Sequence, residues 1–250
     1  MGGDMKITII TATYNSAATV RDTLASIQSQ TYRTIEHLII DGASSDATLS
    51  IVREFAHVAA CHSAKDRGIY DAMNRGIACA TGDIIGILNS DDVYANETII
   101  ASVMQRFAET GADAVYGDLN YVQHDLNKVV RRWRAGAFDR QSFKWGWMPP
   151  HPSFFVRREL YEKFGNFNLE LRSAADYELM LRMAYKHQVN CAYLPQVLVK
   201  MRTGGVSNAS LKNRLRANRE DLRAWQINDL QPYFFTLWLK PLRKLHQYLI

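Results

Sequence analysis

Short runs of β-branched and aliphatic residues alternate with stretches of helical spacing, and each run ends in a polar or acidic cluster. Lys6–Asn15 (KITIITATYN) precedes Val20, Leu24 and Ile27. His37–Asp41 (HLIID) precedes Leu49, Val52 and Phe55. A run near His57–His62 precedes Ile69, Ala72, Met73, Ile77 and Ala80, and Asp83–Leu88 (DIIGIL) precedes Ile100, Val103 and Phe107. This βαβαβα order predicts an α/β fold, a parallel sheet with helices on both faces. In such open sheets ligands bind outside the carboxyl ends of the strands. Those ends read Thr13-Tyr14-Asn15, Asp41-Gly42-Ala43-Ser44-Ser45-Asp46, Asp66-Arg67-Gly68 and Asn89-Ser90-Asp91-Asp92.

The 250 residues suffice for one large domain, or one domain with a small appendage. With 47% hydrophobic and 22% charged residues the composition is globular, and a net charge of +5 gives no case for nucleic acid. Cys61, Cys79 and Cys191 are scattered and form no CxxC pair, which argues against a zinc site or a disulfide framework and for a reducing compartment. No run approaches the roughly 18 apolar residues of a membrane span, and no signal-peptide pattern opens the chain. The expected location is cytoplasmic, with peripheral contact on the inner face of the cell membrane left open.

Asp91 and Asp92 are adjacent like charges at the end of an apolar strand. Neither GxGxxG nor GxxxxGK[ST] follows the first strand, so a phosphate-bearing ligand needs another source of positive charge. A divalent metal on Asp91 or Asp92 would supply it and relieve the repulsion. Taken singly, Asp66 and Ser44-Ser45-Asp46 also suit helix capping or turns. Four polar strand ends on one edge exceed what capping requires.

ITIITATYN, IIDGASSDAT, DRGIYDAMNRGIACATGD and ILNSDD together resemble the inverting glycosyltransferases of family 2, which have the GT-A fold. The correspondence is nearly continuous from Lys6 to Asp92, looser through Met148–Asn168 and Ser173–Met183, and fades beyond about Val206. The resemblance implies a Rossmann-like, mostly parallel sheet flanked by helices. Residues 1–205 would form the transferase domain, with about 6–120 on the nucleotide-sugar side and about 121–205 on the acceptor side, and 206–250 a C-terminal helical extension. It implies a nucleotide-sugar donor, by default a UDP-sugar, and hexosyl transfer to a saccharide or lipid-linked acceptor in bacterial surface-polysaccharide assembly. Thr13, Tyr14, Asp41 and Asp66 match positions that line the nucleotide pocket, Asp41 meeting the base. Asp91 would face the ribose, and Asp92 would coordinate Mn²⁺ or Mg²⁺ on the diphosphate.

By the same resemblance Asp176, in SAADYELMLRM, stands where the family carries its catalytic carboxylate. Leu179, Met180, Met183 and Ala184 place Asp176 at a helix start, where the ionised form is favoured. Its alternative role is a helix cap, and Glu178 is a second acid in the same turn. Trp145 and Trp147, in an aromatic stretch around Gly146, are expected either to stack on the acceptor sugar or to cover the sheet, and His151 to hydrogen-bond acceptor or donor, with no metal role. Arg202, Gly204 and Gly205, in MRTGGVS, resemble the family's donor-closing loop, with Arg202 able to reach the diphosphate. No QxxRW motif is present, which favours single addition over polymerisation. In the tail, Phe234, Phe235, Leu237, Trp238 and Leu239 lie beside Lys240, Arg243 and Lys244. That mixture suits an anionic membrane surface over residues 232–250, or packing onto the domain or a homodimer partner. Two other classes share the fold. A sugar nucleotidyltransferase would carry a glycine-rich, basic loop where this chain has TATYNSAATV, and an idle scaffold would have little use for Asp41, Asp91, Asp92 and Asp176 together.

Overall fold

The computed structural model describes residues 5–204, 211–243 and 247. Strand β1 (Ile7–Thr13) is buried along its whole length, as an apolar strand covered on both faces should be. It pairs in parallel with β2 (Ile35–Asp41) and β4 (Ile84–Ile87), and β3 (Val58–Ser63) extends β2. Parallel neighbours need crossovers, provided here by α1 (Val20–Gln28), α2 (Thr48–Val52) and α3 (Ile69–Cys79). The register sets Thr13 beside Asp41 and Asp41 beside Ser63, so three strands end in one row.

Beyond β4 the chain adds β5 (Val93–Tyr94), α4 (Ile99–Thr110), β6 (Ala114–Val122) and β7 (Val129–Trp133). Tight turns at Arg140–Trp145 and His151–Ser153 lead to β8 (Phe154–Arg157) and α5 (Arg158–Phe164). Helix α6 (Ala175–Met180) runs into a wider π-helical stretch, Leu181–Lys186, and β9 (Cys191–Arg202), α7 (Leu211–Ile227) and α8 (Thr236–Leu242) follow. The sheet order is β3-β2-β1-β4-β8-β6-β9-β5, with β7 on β6. It is parallel from β3 to β4 and mixed afterwards, because β8 runs antiparallel to both β4 and β6 while β9 runs parallel to β6. The close β4–β8 seam explains Gly86 inside a strand: a methyl group there would lie 2.6 Å from the Phe155 ring.

Alternate side chains of β1 serve two cores. Ile10 and Ala12 pack with Ala72, Met73 and Ile77 of α3, with α6, and with Ala224 and Trp225 of α7. Ile7 and Ile9 pack with Ile100, Val103 and Phe107 of α4. Helix α7 thus shares the main core, and the tail packs back onto the domain.

Candidate active site

The loops after β1 and β2 are stapled to each other. The buried Asp41 carboxylate accepts from the Ser44 amide (3.0 Å), the Ser44 hydroxyl (2.5 Å) and the Ser63 hydroxyl (2.6 Å). Ser44 Oγ in turn accepts from the Asn15 amide at 2.8 Å, and Asn15 Oδ1 accepts from the Ser45 amide at 2.9 Å. Asn15 (φ 48°) and Ala43 (φ 64°) both lie in the left-handed region, a strained conformation that these cross-loop bonds hold in place. Three internal donors meet the Asp41 carboxylate, which has no exposed surface in this structure. Asp41 shapes the loop through Ser44.

Tyr14 and Asp66 form the open rim. They close on Gly42 from two sides, since a methyl group there would stand 2.7 Å from Asp66 Oδ2 and 3.3 Å from the Tyr14 ring. Asp66 Oδ1 accepts from the Gly68 amide at 2.9 Å, which holds the turn into α3. Thr13 ends β1 beneath this rim, its hydroxyl buried without a hydrogen-bond partner among the described residues.

Ser16 joins this rim to the acidic pair, its Oγ lying 2.8 Å from Ser90 Oγ. Asp91 is partly exposed and Asp92 is 0% exposed. Asp92 Oδ2 accepts from Asn89 Nδ2 at 3.1 Å, while its buried Oδ1 has no hydrogen-bond partner among the described residues. Burial first, and the neighbouring Asp91 second, push the Asp92 carboxyl well above the usual carboxylate range. Burial raises Asp91 as well. The turn is clamped from outside: Thr23 Oγ1 donates to the Asp92 carbonyl at 2.7 Å, and Arg202 Nη1 to the Asp91 carbonyl at 2.7 Å. Arg202 also donates to the His124 carbonyl at 2.9 Å and pairs with Asp22. Arg202 is therefore a buried strut whose Nε, Nη1 and Nη2 each hold one partner within the fold. Gly204 lies exposed at φ 104°, and Gly205 falls outside the described residues.

Among the described residues no group of three His, Cys, Asp or Glu side chains could cage a metal. What the site offers is the partly exposed carboxylate of Asp91, with the orphaned Oδ1 of Asp92 next to it in the chain. That set fits a hard divalent ion held by one or two carboxylates together with substrate phosphates. Asp91 is the more exposed of the pair, and Asp92 is buried.

Asp176 sits in the first turn of α6, partly exposed, and accepts the Tyr70 hydroxyl at 3.1 Å. Tyr70 belongs to α3, four residues after Asp66, so the carboxylate joins the same edge as the rim. Its ring stacks on Phe167 at 5.4 Å, and Phe167 meets the His151 ring edge-on at 5.4 Å. Burial pulls the His151 imidazole below its ordinary value against the pull of nearby Asp176, so His151 is a neutral, buried neighbour of the site. Glu178 is consumed: Arg182 grips it at 2.9 and 3.0 Å, and Asn228 donates to it at 2.8 Å.

The two tryptophans part company. Trp147 is buried, donates to the Ala135 carbonyl at 2.7 Å and packs against Phe143 and Tyr116. It is a core residue. Trp145 is half-exposed and packs against Phe235 at 5.1 Å and Tyr233 at 6.0 Å, in the tail. Sequence reasoning missed Tyr70 and Ser16. The available signal was an aromatic in the first turn directly after Asp66-Arg67-Gly68, and a serine directly after the first strand end.

The model of the family "Glycosyl transferase family 2" matches residues 8–166. A "PGL/p-HBAD biosynthesis glycosyltransferase" of Mycobacterium bovis is 34% identical over 206 residues, 80% of this chain and 78% of that protein. The "Glycosyltransferase GlyG" of Streptococcus pneumoniae is 32% identical over 126 residues, 48% of this chain and 42% of that protein. In fold the chain is similar to S. aureus TarS, with a TM-score of 0.69 at 20% identity, covering 91% of this chain but only 41% of the TarS chain. A shorter TarS chain in complex with UDP-GlcNAc has a TM-score of 0.69 at 19% identity, covering 91% and 68%. The mannosyltransferase PcManGT of Pyrobaculum calidifontis, in complex with GDP-Man and Mn²⁺, has a TM-score of 0.66 at 21% identity, covering 96% and 73%. These likenesses join the sheet order, the polar strand ends and the acidic turn in one assignment: the chain is a glycosyltransferase of family 2, with the GT-A fold.

Proposed function

We propose that the protein transfers a sugar from a nucleotide sugar, a UDP-sugar by the resemblance of its loops, to a saccharide or lipid-linked saccharide, with inversion at the anomeric carbon. Asp176 is the general base. The observation that carries this reading is the Tyr70–Asp176 hydrogen bond of 3.1 Å: it holds a partly exposed carboxylate at the edge where the strand ends meet, while the only other acid of that turn, Glu178, is bound to Arg182. Ionised carboxylates are weak bases towards an alcohol, so the proton moves late, as the new C–O bond makes the hydroxyl acidic.

Tyr14, Gly42 and Asp66 form the rim for the nucleoside, with Asp41, Ser44 and Thr13 supporting it from below. Asp91 would hold Mn²⁺ or Mg²⁺, with the buried Asp92 next to it in the chain. When bound, that ion stabilises the charge of the departing diphosphate. Arg202, Thr23 and Ser16 keep the acidic turn in place beforehand, the kind of preorganisation that makes electrostatic stabilisation effective. The mycobacterial relative's name assigns that protein to PGL/p-HBAD biosynthesis, which supports a bacterial surface-glycan setting here.

The tail supports an acceptor presented at a membrane. Phe234 is 92% and Trp238 75% exposed, beside the exposed Arg243 and the partly exposed Lys144. Aromatics and cations on one surface suit the interface of an anionic bilayer. Among the described residues no helix is long and apolar enough to cross a membrane.

The test is calorimetric titration of UDP, GDP and dTDP, each with Mn²⁺ and with EDTA, followed by UDP release from UDP-glucose, UDP-galactose and UDP-GlcNAc. Wild type should bind one nucleotide in a metal-dependent way. Asp176→Asn should bind it equally and lose turnover. Turnover by Asp176→Asn at the wild-type rate would sink the base assignment, and absence of binding to all three nucleotides would restore the scaffold reading.

A further inference from the structure

The first N–H groups of a helix have no partners within it, and an acid in the first turn commonly folds back to satisfy them. Helix α6 has such an acid in Asp176, yet Asp176 does not cap it, and Ala174 at the cap position makes no side-chain capping bond. The residues just before α6 find their acceptor on another helix. Glu220 Oε2, on α7, receives the Ser173 amide at 2.6 Å and the Ala174 amide at 3.1 Å. Among the described residues, the hydrogen bond to the Asp176 carboxylate comes from Tyr70.

Glu220 is held at this point by the rest of α7. Trp225 Nε1 donates to the Tyr177 hydroxyl at 2.9 Å, and Asn228 Nδ2 to Glu178 Oε1 at 2.8 Å, both in buried surroundings. Ala224 and Trp225 are fully buried. Residues 220, 224, 225 and 228 recur at the spacing of one helical face, and that face meets Ser173, Ala174, Tyr177 and Glu178, in α6 and its approach. The matched family segment ends at residue 166, before either helix begins.

We propose that Glu220 is a positioning residue for the transfer reaction: by accepting the Ser173 and Ala174 N–H groups it fixes the approach to α6, and with it the place of the Asp176 carboxylate in the turn that follows. This rests on the reading of Asp176 as the base. Without Glu220 the Ser173 and Ala174 amides lose their acceptor, and the approach to the turn that carries Asp176 is no longer tied to α7.

The experiment compares wild type, Glu220→Ala, Glu220→Gln, Asp176→Asn and the control Arg223→Ala, which removes an exposed ion pair with Glu170 on the same helix. UDP binding with Mn²⁺ is read by calorimetry, and kcat and KM by UDP release from the UDP-sugar panel. Glu220→Ala should lower kcat at least tenfold, with the UDP dissociation constant and the donor KM within threefold of wild type. Glu220→Gln, whose amide oxygen can accept the same two N–H groups, should recover most of kcat, and Arg223→Ala should match wild type. Wild-type kcat in Glu220→Ala overturns the proposal, as does a loss of UDP binding in step with kcat, which marks a merely structural role. Should Glu220→Ala fail to fold, Glu220→Asp, one methylene short of both amides, carries the same test, and wild-type kcat in it overturns the proposal. A turnover-dead Asp176→Asn beside a fully active Glu220→Ala removes this inference alone, whereas an active Asp176→Asn removes the base reading beneath it.

Discussion

Tyr70 reaches across 106 residues of sequence to donate its hydroxyl to Asp176 Oδ1 at 3.1 Å, tying the first turn of α3 to the first turn of α6. Tyr70→Phe removes that bond and keeps the ring that stacks on Phe167. Hydrogen bonds to charged groups contribute about 1.5–3 kcal/mol, and only part of that bears on the transfer step. The expected result is a fall in kcat of roughly tenfold, with UDP binding unchanged. Equal kcat in steady-state UDP release would show that the phenol does not orient the carboxylate.

The acidic turn gives a contrast between neighbours. Asp91→Asn should weaken Mn²⁺-dependent UDP binding at least tenfold, because the partly exposed carboxylate is the one presented to a ligand. Asp92→Asn should change it less than threefold. That side chain is buried, its carboxyl is pushed towards the neutral form, and an amide oxygen can still accept from Asn89. Calorimetry on both variants decides, and the opposite order would return the metal to Asp92.

His37 sets an acid limit on stability. It is buried, with one ring nitrogen 3.0 Å from Thr11 Oγ1 and the other 3.1 Å from His57. Burial, and secondarily the neighbouring His57, lower it from 6.5 to about 3. A histidine depressed in the fold stabilises the protein above its unfolded value and loses that contribution as pH falls from about 6.5 towards 3. The loss is on the order of 3 kcal/mol by pH 4. Urea midpoints at pH 7, 5.5 and 4 should fall accordingly, and the decline should be shallower in His37→Gln.

Phe234 and Trp238 are the tail's test of membrane contact. Wild type should co-sediment with vesicles containing phosphatidylglycerol and release in high salt, and Phe234→Ser/Trp238→Ser should bind several-fold less. A concentration-dependent dimer that the double variant abolishes, without vesicle binding, would assign the surface to a second copy.

Much of this was legible in the residues, and the rest failed for identifiable reasons. The β-branched runs and polar strand ends are local signals, so β1 to β4 and the meeting of the Thr13 and Asp41 strand ends on one edge could be anticipated, while Ser63 was not. The insertion of β8 between β4 and β6 could not, because antiparallel pairing with residues 70 positions away leaves no periodic mark. Trp145 and Trp147 have the same chemistry and lie two residues apart in a turn, yet one packs beneath tail aromatics and the other enters the core. Arg202 reads as a phosphate ligand by its type, and its commitments to Asp91, His124 and Asp22 come from three distant segments. Glu220 gave no signal at all, since a glutamate in a charged helix looks like any solvated side chain.

The docking of α7 on α6 also has a consequence for how the molecule is made. Every strand of the sheet is synthesised before α7, and chains emerging from the ribosome fold from their N-terminal end. The nucleotide pocket can therefore assemble on a nascent chain whose proton-accepting turn is not yet tied to α7. A chain terminated before Glu220 would lack the Ala224 and Trp225 side chains of the main core as well as the acceptor of the Ser173 and Ala174 amides. The last long helix completes the catalyst after the rest of the fold is built.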